Sequence, residues 1–404
     1  MDAVILAAGF DFPTLYAFFT RVLPDDLGWL AFILSGGIIA AVVINGLVMA
    51  TALYTWFERR ALGRFQSRVG PNRWGPFGLL QPMADLLKLM TKEDTVPEGA
   101  DKPVFTLAPI IFTAIGFIVF AVIPLSSNNW LSRLSIGLVF VIGITSINTL
   151  AIFMAGWSSR NKFGMLGAMR GVAMLISYEI PMAIVIATVA LLGQSLSLYT
   201  VVVNQNVPFL LVMPLGFFVF VTAASAEMSR APFDMIEAES ELGAGYHTEY
   251  SGMKFGLFQL AEFMAPIVFS ALIVSFFMSG WRGWWPVPGP IWFVIKVVIV
   301  LLALLWARAT WPRLRVDQIM GLAWKALFPM ALFNLLAIAI EVQLLRDSET
   351  GLLTTADLWL MVLINWVIAI GAYTTFARFI GKRAVERPTP VPSPLANMQL
   401  EETD

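Results

Sequence analysis

The sequence predicts an all-α polytopic membrane protein of about nine transmembrane helices, with an amphipathic interfacial helix in its first long inside loop. Three observations predict it. Of 404 residues, 58% are hydrophobic and 13% charged, about half the charge of an ordinary soluble domain. The apolar residues fall in runs of about 20, the length that crosses a hydrocarbon core of roughly 30 Å. Lys and Arg also separate by loop, with 21 of 26 on one side of alternate spans. Arg21, Arg133, Arg282 and Arg346 lie on the other side and Lys296 lies within a span. The positive-inside rule then places the N-terminus outside and the C-terminus inside.

Taken in order, residues 1–27 form an N-terminal surface segment. Its apolar run is broken by Asp11 and Pro13 and lacks a basic start and a small-residue cleavage site, so a short surface helix is expected rather than a cleaved leader. A single transmembrane domain follows over 28–381. Its spans are expected near 28–57, 104–124, 134–157, 171–193, 207–227, 255–279, 290–311, 324–345 and 357–380. The first is long enough to tilt or to project from the bilayer. Two inside loops, 58–103 and 228–254, exceed what a chain reversal needs. The first holds the string GPNRWGPFG at 70–78, a rigid irregular path. Next to it, Leu79, Leu80, Met83, Leu86, Leu87 and Met90 share one helical face, with Asp85 and Lys88 one turn apart. About a dozen residues cannot span, so this helix lies at the interface. Residues 382–404 are Pro-rich and then acidic, a composition that predicts a disordered tail.

The chemistry is bounded by what is missing. The chain has no Cys and one His, which removes disulfides, thiolate zinc sites, cysteine-held iron–sulfur clusters and bis-histidine haem. His247 is expected to be a surface or interface residue rather than a metal ligand. A net charge of −1 points to no nucleic-acid partner.

Charges inside spans are expensive and need a reason. Glu179 lies two turns into the fourth span just before Pro181, Glu227 at the inner end of the fifth, and Glu262 two turns into the sixth. They are either satisfied structural carboxylates or lining of a wet cavity that conducts protons. Lys296 and Glu341 lie nearer the outer surface and could snorkel. The loop after the fifth span is the densest acidic segment, with Asp234, Glu237, Glu239, Glu241 and Glu249 interleaved with Phe233, Ile236, Leu242 and Tyr246. If helical, Glu237 and Glu241 repel at i, i+4, and partial desolvation pushes some of the group toward neutrality as a coupled set. A plain surface charge run is the alternative. Glu58, Arg59, Arg60, Arg64, Arg68 and Arg73 end the first span and enter the loop. They either anchor to headgroups or, with the Gly/Pro string, make a rigid mouth for a lipid-soluble ligand.

Five strings carry a family resemblance. They are ERRALGRFQSRVGPNRWGPFGLLQPMADLLKLMTKE at 58–93, GWSSRNKFGMLGAMRG at 156–171, ISYE at 176–179, EMSRAPFDMIEAESELGAGYHTEYSGMKFGLFQLAEF at 227–263 and RATWPRLRVDQIMGLAWK at 308–325. Together, and in this order, they resemble the H-subunit family of respiratory complex I, the proton-pumping NADH-quinone oxidoreductase. Pro181, a ninth span after residue 345 and the acidic tail depart from the common pattern.

The resemblance implies that the first span, the amphipathic helix and the sixth span form the membrane part of a tunnel that admits quinone, either ubiquinone or menaquinone. Arg59, Arg60, Asp85, Leu86 and Lys88 match its mouth and wall. Glu237, Glu239, Glu241 and Glu249, with Glu179, Glu227 and Glu262, match an acidic path that couples quinone reduction to proton translocation. It further implies a subunit of an oxidoreductase with no redox centre of its own. Flavin, iron–sulfur clusters and metals would lie in partner subunits, and quinone is the substrate. The implied partners are peripheral-arm quinone-site and iron–sulfur subunits on the inside face, small and antiporter-like membrane-arm subunits, and lipids. The implied location is an energy-transducing membrane, a bacterial plasma membrane or an organellar inner membrane. A membrane anchor of a related hydrogenase or dehydrogenase is the alternative within the superfamily. A secondary transporter is the alternative outside it.

Overall fold

Eight helices among the described residues are long and apolar enough to cross a membrane. The computed structural model describes residues 12–24, 27–127, 133–236, 243–283, 286–345 and 354–385. Side chains of residue 12 and of 376–385 are not described. Glu237, Glu239, Glu241 and the tail from residue 386 therefore lie outside the described residues. Described elements are helices and turns, with no strand among them.

A short helix α1 (Phe12–Val22) packs on α2 (Gly28–Phe65). At 1.5 Å per residue, the 38 residues of α2 extend about 57 Å, nearly twice the hydrocarbon core. Glu58, Arg59 and Arg60 consequently stand at its projecting end, called here the basic end. A Gly/Pro turn leads to α3 (Gln81–Thr91), which has no buried residue and touches only α2 and α10 among its close neighbours. Its apolar face, from Leu79 to Met90, is exposed, as a helix lying at an interface requires.

Next come α4 (Lys102–Val122), α5 (Gly137–Ser158) and α6 (Lys162–Gly193), each packed tightly on its successor. Small residues set the α5–α6 distance. A Cβ on Gly156 would lie 2.3 Å from Ala168 Cβ and 2.7 Å from Gly164 O, so the two backbones approach as closely as small-residue membrane interfaces allow.

The span expected at 207–227 is broken. The chain makes short helices α7 (Leu198–Asn204) and α8 (Phe209–Val212), then α9 (Pro214–Glu227). Pro214 lacks an N–H and disfavours the helical conformation for the residue before it, and Met213 sits at φ −133°, ψ 71°. The 14-residue α9 reaches about 21 Å, so eight long spans and one short helix stand where nine spans were expected.

The central helix is α10 (Gly252–Phe277), with 83% of its most apolar window buried. It is flanked by α11 (Gly289–Thr310) and, further off, by α12 (Val316–Leu322), a π-turn at Ala323–Leu327, α13 (Phe328–Leu345) and α14 (Thr355–Val385). Helix α14 runs past residue 382, where the tail was expected to begin. Glu341 does not snorkel: Asn365 Nδ2 of α14 donates to its Oε2 at 2.7 Å, and both residues are buried.

Candidate functional site

Two charged assemblies meet at the basic end of α10. The first surrounds the end of α2. Glu58 is buried with a side chain 3% exposed, and it pairs with Arg230 at 3.4 Å and with Arg308 at the end of α11. Arg230 lies over the Phe263 ring of α10, 4.5 Å from its centroid, and Tyr54 stands one turn before Glu58 beside both arginines. A carboxylate this far from water requires such partners, since an unpaired buried charge costs several kcal/mol.

One residue along, Arg59 Nη1 donates to Asp85 Oδ2 at 2.5 Å and so clips α3 to α2. Asp85 Oδ1 also accepts from Gln81 Nε2 at 3.3 Å and faces Lys88 Nζ at 3.7 Å. Lys88 is two-thirds exposed, so that last pair contributes little. Arg60 donates to Phe77 O at 3.2 Å and lies within 5.5 Å of the Trp56 and Phe77 ring centroids. Trp56 Nε1 donates to the same carbonyl at 3.0 Å. Gly70 passes directly over Arg60, where an added Cβ would stand 2.8 Å from Arg60 Cα. The Gly/Pro string is thus folded onto α2 rather than loose. Leu86 projects 40% exposed from α3.

The second assembly is a cavity of about 60 Å³ between α4, α5, α9 and α10. Its polar lining is Thr145, Asn148, Ser229, Glu227 and Glu262. Asn148 hydrogen-bonds Glu227, which also feels the charge of Glu179. Glu179 contacts Ser146 on the same helix as Asn148, and Gln259 Nε2 donates to Glu262 Oε2 at 3.2 Å. Three expected carboxylates therefore share one neighbourhood. Pro181 leaves α6 continuous.

The segment 228–236 belongs to both assemblies. Arg230 holds Glu58, whereas Met228, Ser229 and Ile236 line the cavity. It is tied to the α11–α12 turn, where Leu314 N donates to Pro232 O at 3.1 Å.

Glu249 lies apart from the cavity and accepts from Asn161 Nδ2 at 2.5 Å. Beside it Tyr250 stacks on Phe105 at 3.9 Å, and burial pushes its hydroxyl up to about 12. His247 is buried, with Tyr246 and Phe255 rings edge-on to it, so of the expected surface or interface position the surface one is corrected. Among the described residues no group of three His, Cys, Asp or Glu is placed to hold a metal.

Arg230 and Arg308 are not among the expected site residues, and Glu58 is expected only as part of the charged run that ends the first span. Each sits at a span end, where charge is what topology already predicts. The usable signal was a single Glu at the start of an arginine run.

Comparison with known proteins identifies what the chain is similar to. A family model described as NADH dehydrogenase matches residues 38–339. The chain is 46% identical over 340 residues to a protein of Dehalococcoides mccartyi strain CBDB1 named as the H subunit of NADH-quinone oxidoreductase, covering 84% of this chain and 94% of the relative. Proteins of the same name from Brevibacillus brevis and Bacillus cytotoxicus are 45% and 42% identical, over 76% and 80% of this chain and 93% and 98% of theirs.

Proposed function

We propose that this chain, which belongs to the NADH dehydrogenase family, is the membrane subunit of an NADH-quinone oxidoreductase that admits quinone and passes the consequence of its reduction to buried carboxylates. The observation that carries the reading is the segment 228–236, which holds Glu58 through Arg230 and lines the cavity of Glu227 and Glu262. Quinone enters between α2, α3 and α10, past Leu86 and the Arg59–Asp85 clip. The apolar exposed face of α3 suits an isoprenoid tail, and Arg60 with Lys88 suits the polar headgroup.

Reduction of quinone to quinol takes two electrons and two protons. The electrons come from NADH through flavin and iron–sulfur centres in peripheral partner subunits docked at the basic end. Withdrawal of protons and the change of charge near Glu58 then alter the loop that includes Glu237, Glu239, Glu241 and Glu249. That change passes through 228–236 to Glu227, Glu262 and Glu179, and from them to neighbouring membrane subunits. The basic end faces the cytoplasm or its organellar equivalent, with the N-terminus outside and the C-terminus inside.

The test is Glu262→Gln in the assembled complex reconstituted in vesicles. Quinone reduction should persist while protons moved per NADH fall. If the proton yield is unchanged in a fully assembled variant, the cavity has no part in coupling.

A further inference from the structure

The far end of α10, opposite the basic end, is closed in an unusual way. The last carbonyls of a helix have no intrahelical donor and inside a membrane must find one elsewhere. Here Gln205 supplies it for the helix, while Lys296 and Arg282 serve carbonyls of the chain just beyond and beside it. Gln205, buried to 1% exposure, donates from Nε2 to Ser275 O at 2.9 Å and Phe276 O at 3.0 Å, and its Oε1 accepts from Ser279 N at 2.8 Å. Lys296 of α11 reaches across with its ammonium to Met278 O at 2.7 Å, Gly280 O at 3.0 Å and Arg282 O at 2.6 Å. Arg282 Nη1 then donates to Val203 O at 2.7 Å and Gln205 O at 3.0 Å. Lys296, expected to snorkel outward, turns its charge into this cap instead.

Arg133 adds a third cation, 5.1 Å from the Tyr199 ring centroid, and Tyr199 stacks on Trp281 at 5.2 Å. Lys296, Arg282 and Arg133 form no ion pair among the described residues. Among the described residues the cap is therefore net positive, and its carbonyls are occupied by protein donors. Between it and Phe269, where the cavity lining on α10 ends, Ser270–Phe277 of α10 is eight consecutive buried residues. Only Ser270 and Ser275 among them carry a polar side chain, and the Ser275 hydroxyl is turned back to Ala271 O at 2.9 Å. This layer is about 12 Å thick.

We infer that the cap of Lys296, Arg282 and Gln205, with the apolar layer beneath it, is a proton barrier that closes the carboxylate cavity toward the far side of the membrane. Fixed cations at a constriction exclude protons electrostatically, and an apolar layer denies a water chain the polar partners it needs. Protons that reach Glu227 and Glu262 can then leave only toward the basic end or sideways into a neighbouring subunit. The inference rests on the reading of the cavity as a proton site, and it adds a direction to it.

The experiment uses the assembled complex in phospholipid vesicles, with no NADH. A potassium–valinomycin diffusion potential drives passive proton entry, followed by an internal pH dye. Lys296→Met should raise proton flux about tenfold, a barrier lowered by about 1.4 kcal/mol, with NADH-driven quinone reduction in detergent at the parental rate. Lys296→Arg, which keeps the charge, should remain tight. An assembled Lys296→Met complex as tight as the parent overturns the barrier. So does Lys296→Arg leaking as much as Lys296→Met, which would assign the effect to packing. Should Lys296→Met fail to assemble, Arg282→Gln decides in its place, since α11 keeps its seat: a leak above the parent supports the barrier and parental tightness overturns it. Glu262→Gln alone judges the cavity by proton yield, so the two readings can fail separately.

Discussion

Glu58→Gln tests the link between the two assemblies most directly. The substitution keeps the shape of the side chain and removes its charge, so Arg230 and Arg308 are left facing each other without a carboxylate. Glu58 is 3% exposed, Arg230 16% and Arg308 26%. Removing one partner of a buried ion pair costs about 3–5 kcal/mol. The partial exposure of both arginines discounts this toward the lower end, about 3 kcal/mol, a factor of about 150 in the docked fraction of segment 228–236. Hydrogen–deuterium exchange of the purified complex should show that segment opening up to about 100-fold more often, with quinone reduction falling alongside. Glu58→Gln combined with Arg308→Gln restores the local charge and should recover about 1–2 kcal/mol relative to additive losses. Exchange within about threefold of the parent in Glu58→Gln, or strictly additive losses in the double variant, would refute the link.

Two further predictions follow from the same geometry and one from the acidic loop of the sequence. Leu86→Phe should slow long-tailed quinones more than short-tailed ones, because the added ring narrows a passage rather than a headgroup site; equal slowing, measured as kcat/KM for both, removes α3 from the entry path. Glu237→Gln with Glu241→Gln should uncouple quinone reduction from pumping in an assembled complex, and normal rates of both would end the role given to that loop. Gly156→Val forces a branched side chain against Ala168 and Gly164, an overpacking cost of about 1–3 kcal/mol. Its thermal denaturation midpoint in detergent should fall, and an unshifted midpoint would contradict the tight α5–α6 contact.

Much of the fold is legible in the sequence because a membrane makes hydropathy a local property. A run such as 104–124 must become a helix wherever it lies, since no other conformation satisfies its backbone in lipid. Helices α2, α4, α5, α10 and α11 follow their expected ranges closely for that reason. The fifth span is shorter than expected and broken near its start because Pro214 is a backbone constraint that a hydropathy average does not weigh. For the site, the one-turn spacing of Asp85 and Lys88 is legible because they share one helix, whereas the Arg59–Asp85 clip crosses a loop and appears only in the structure. Glu179, Glu227 and Glu262 stand out because charge within a span is rare. Glu58 does not stand out, because charge at a span end is common.

By itself the sequence determined the class of protein, the position of most of the long apolar segments and the carboxylates that fall within or at the end of such segments. Each of these depends on what a residue loses on leaving water, a quantity that needs no neighbour to define it. Tertiary structure alone decided which charge meets which. Glu58 and Arg230 are 172 residues apart in the chain, and Lys296 finds its three carbonyls just past another helix's end. Their partners are set by how helices pack, through contacts such as Gly156 on Ala168 that depend on shape. A burial cost can be read one residue at a time, but the groups that offset it are known only once the helices are together.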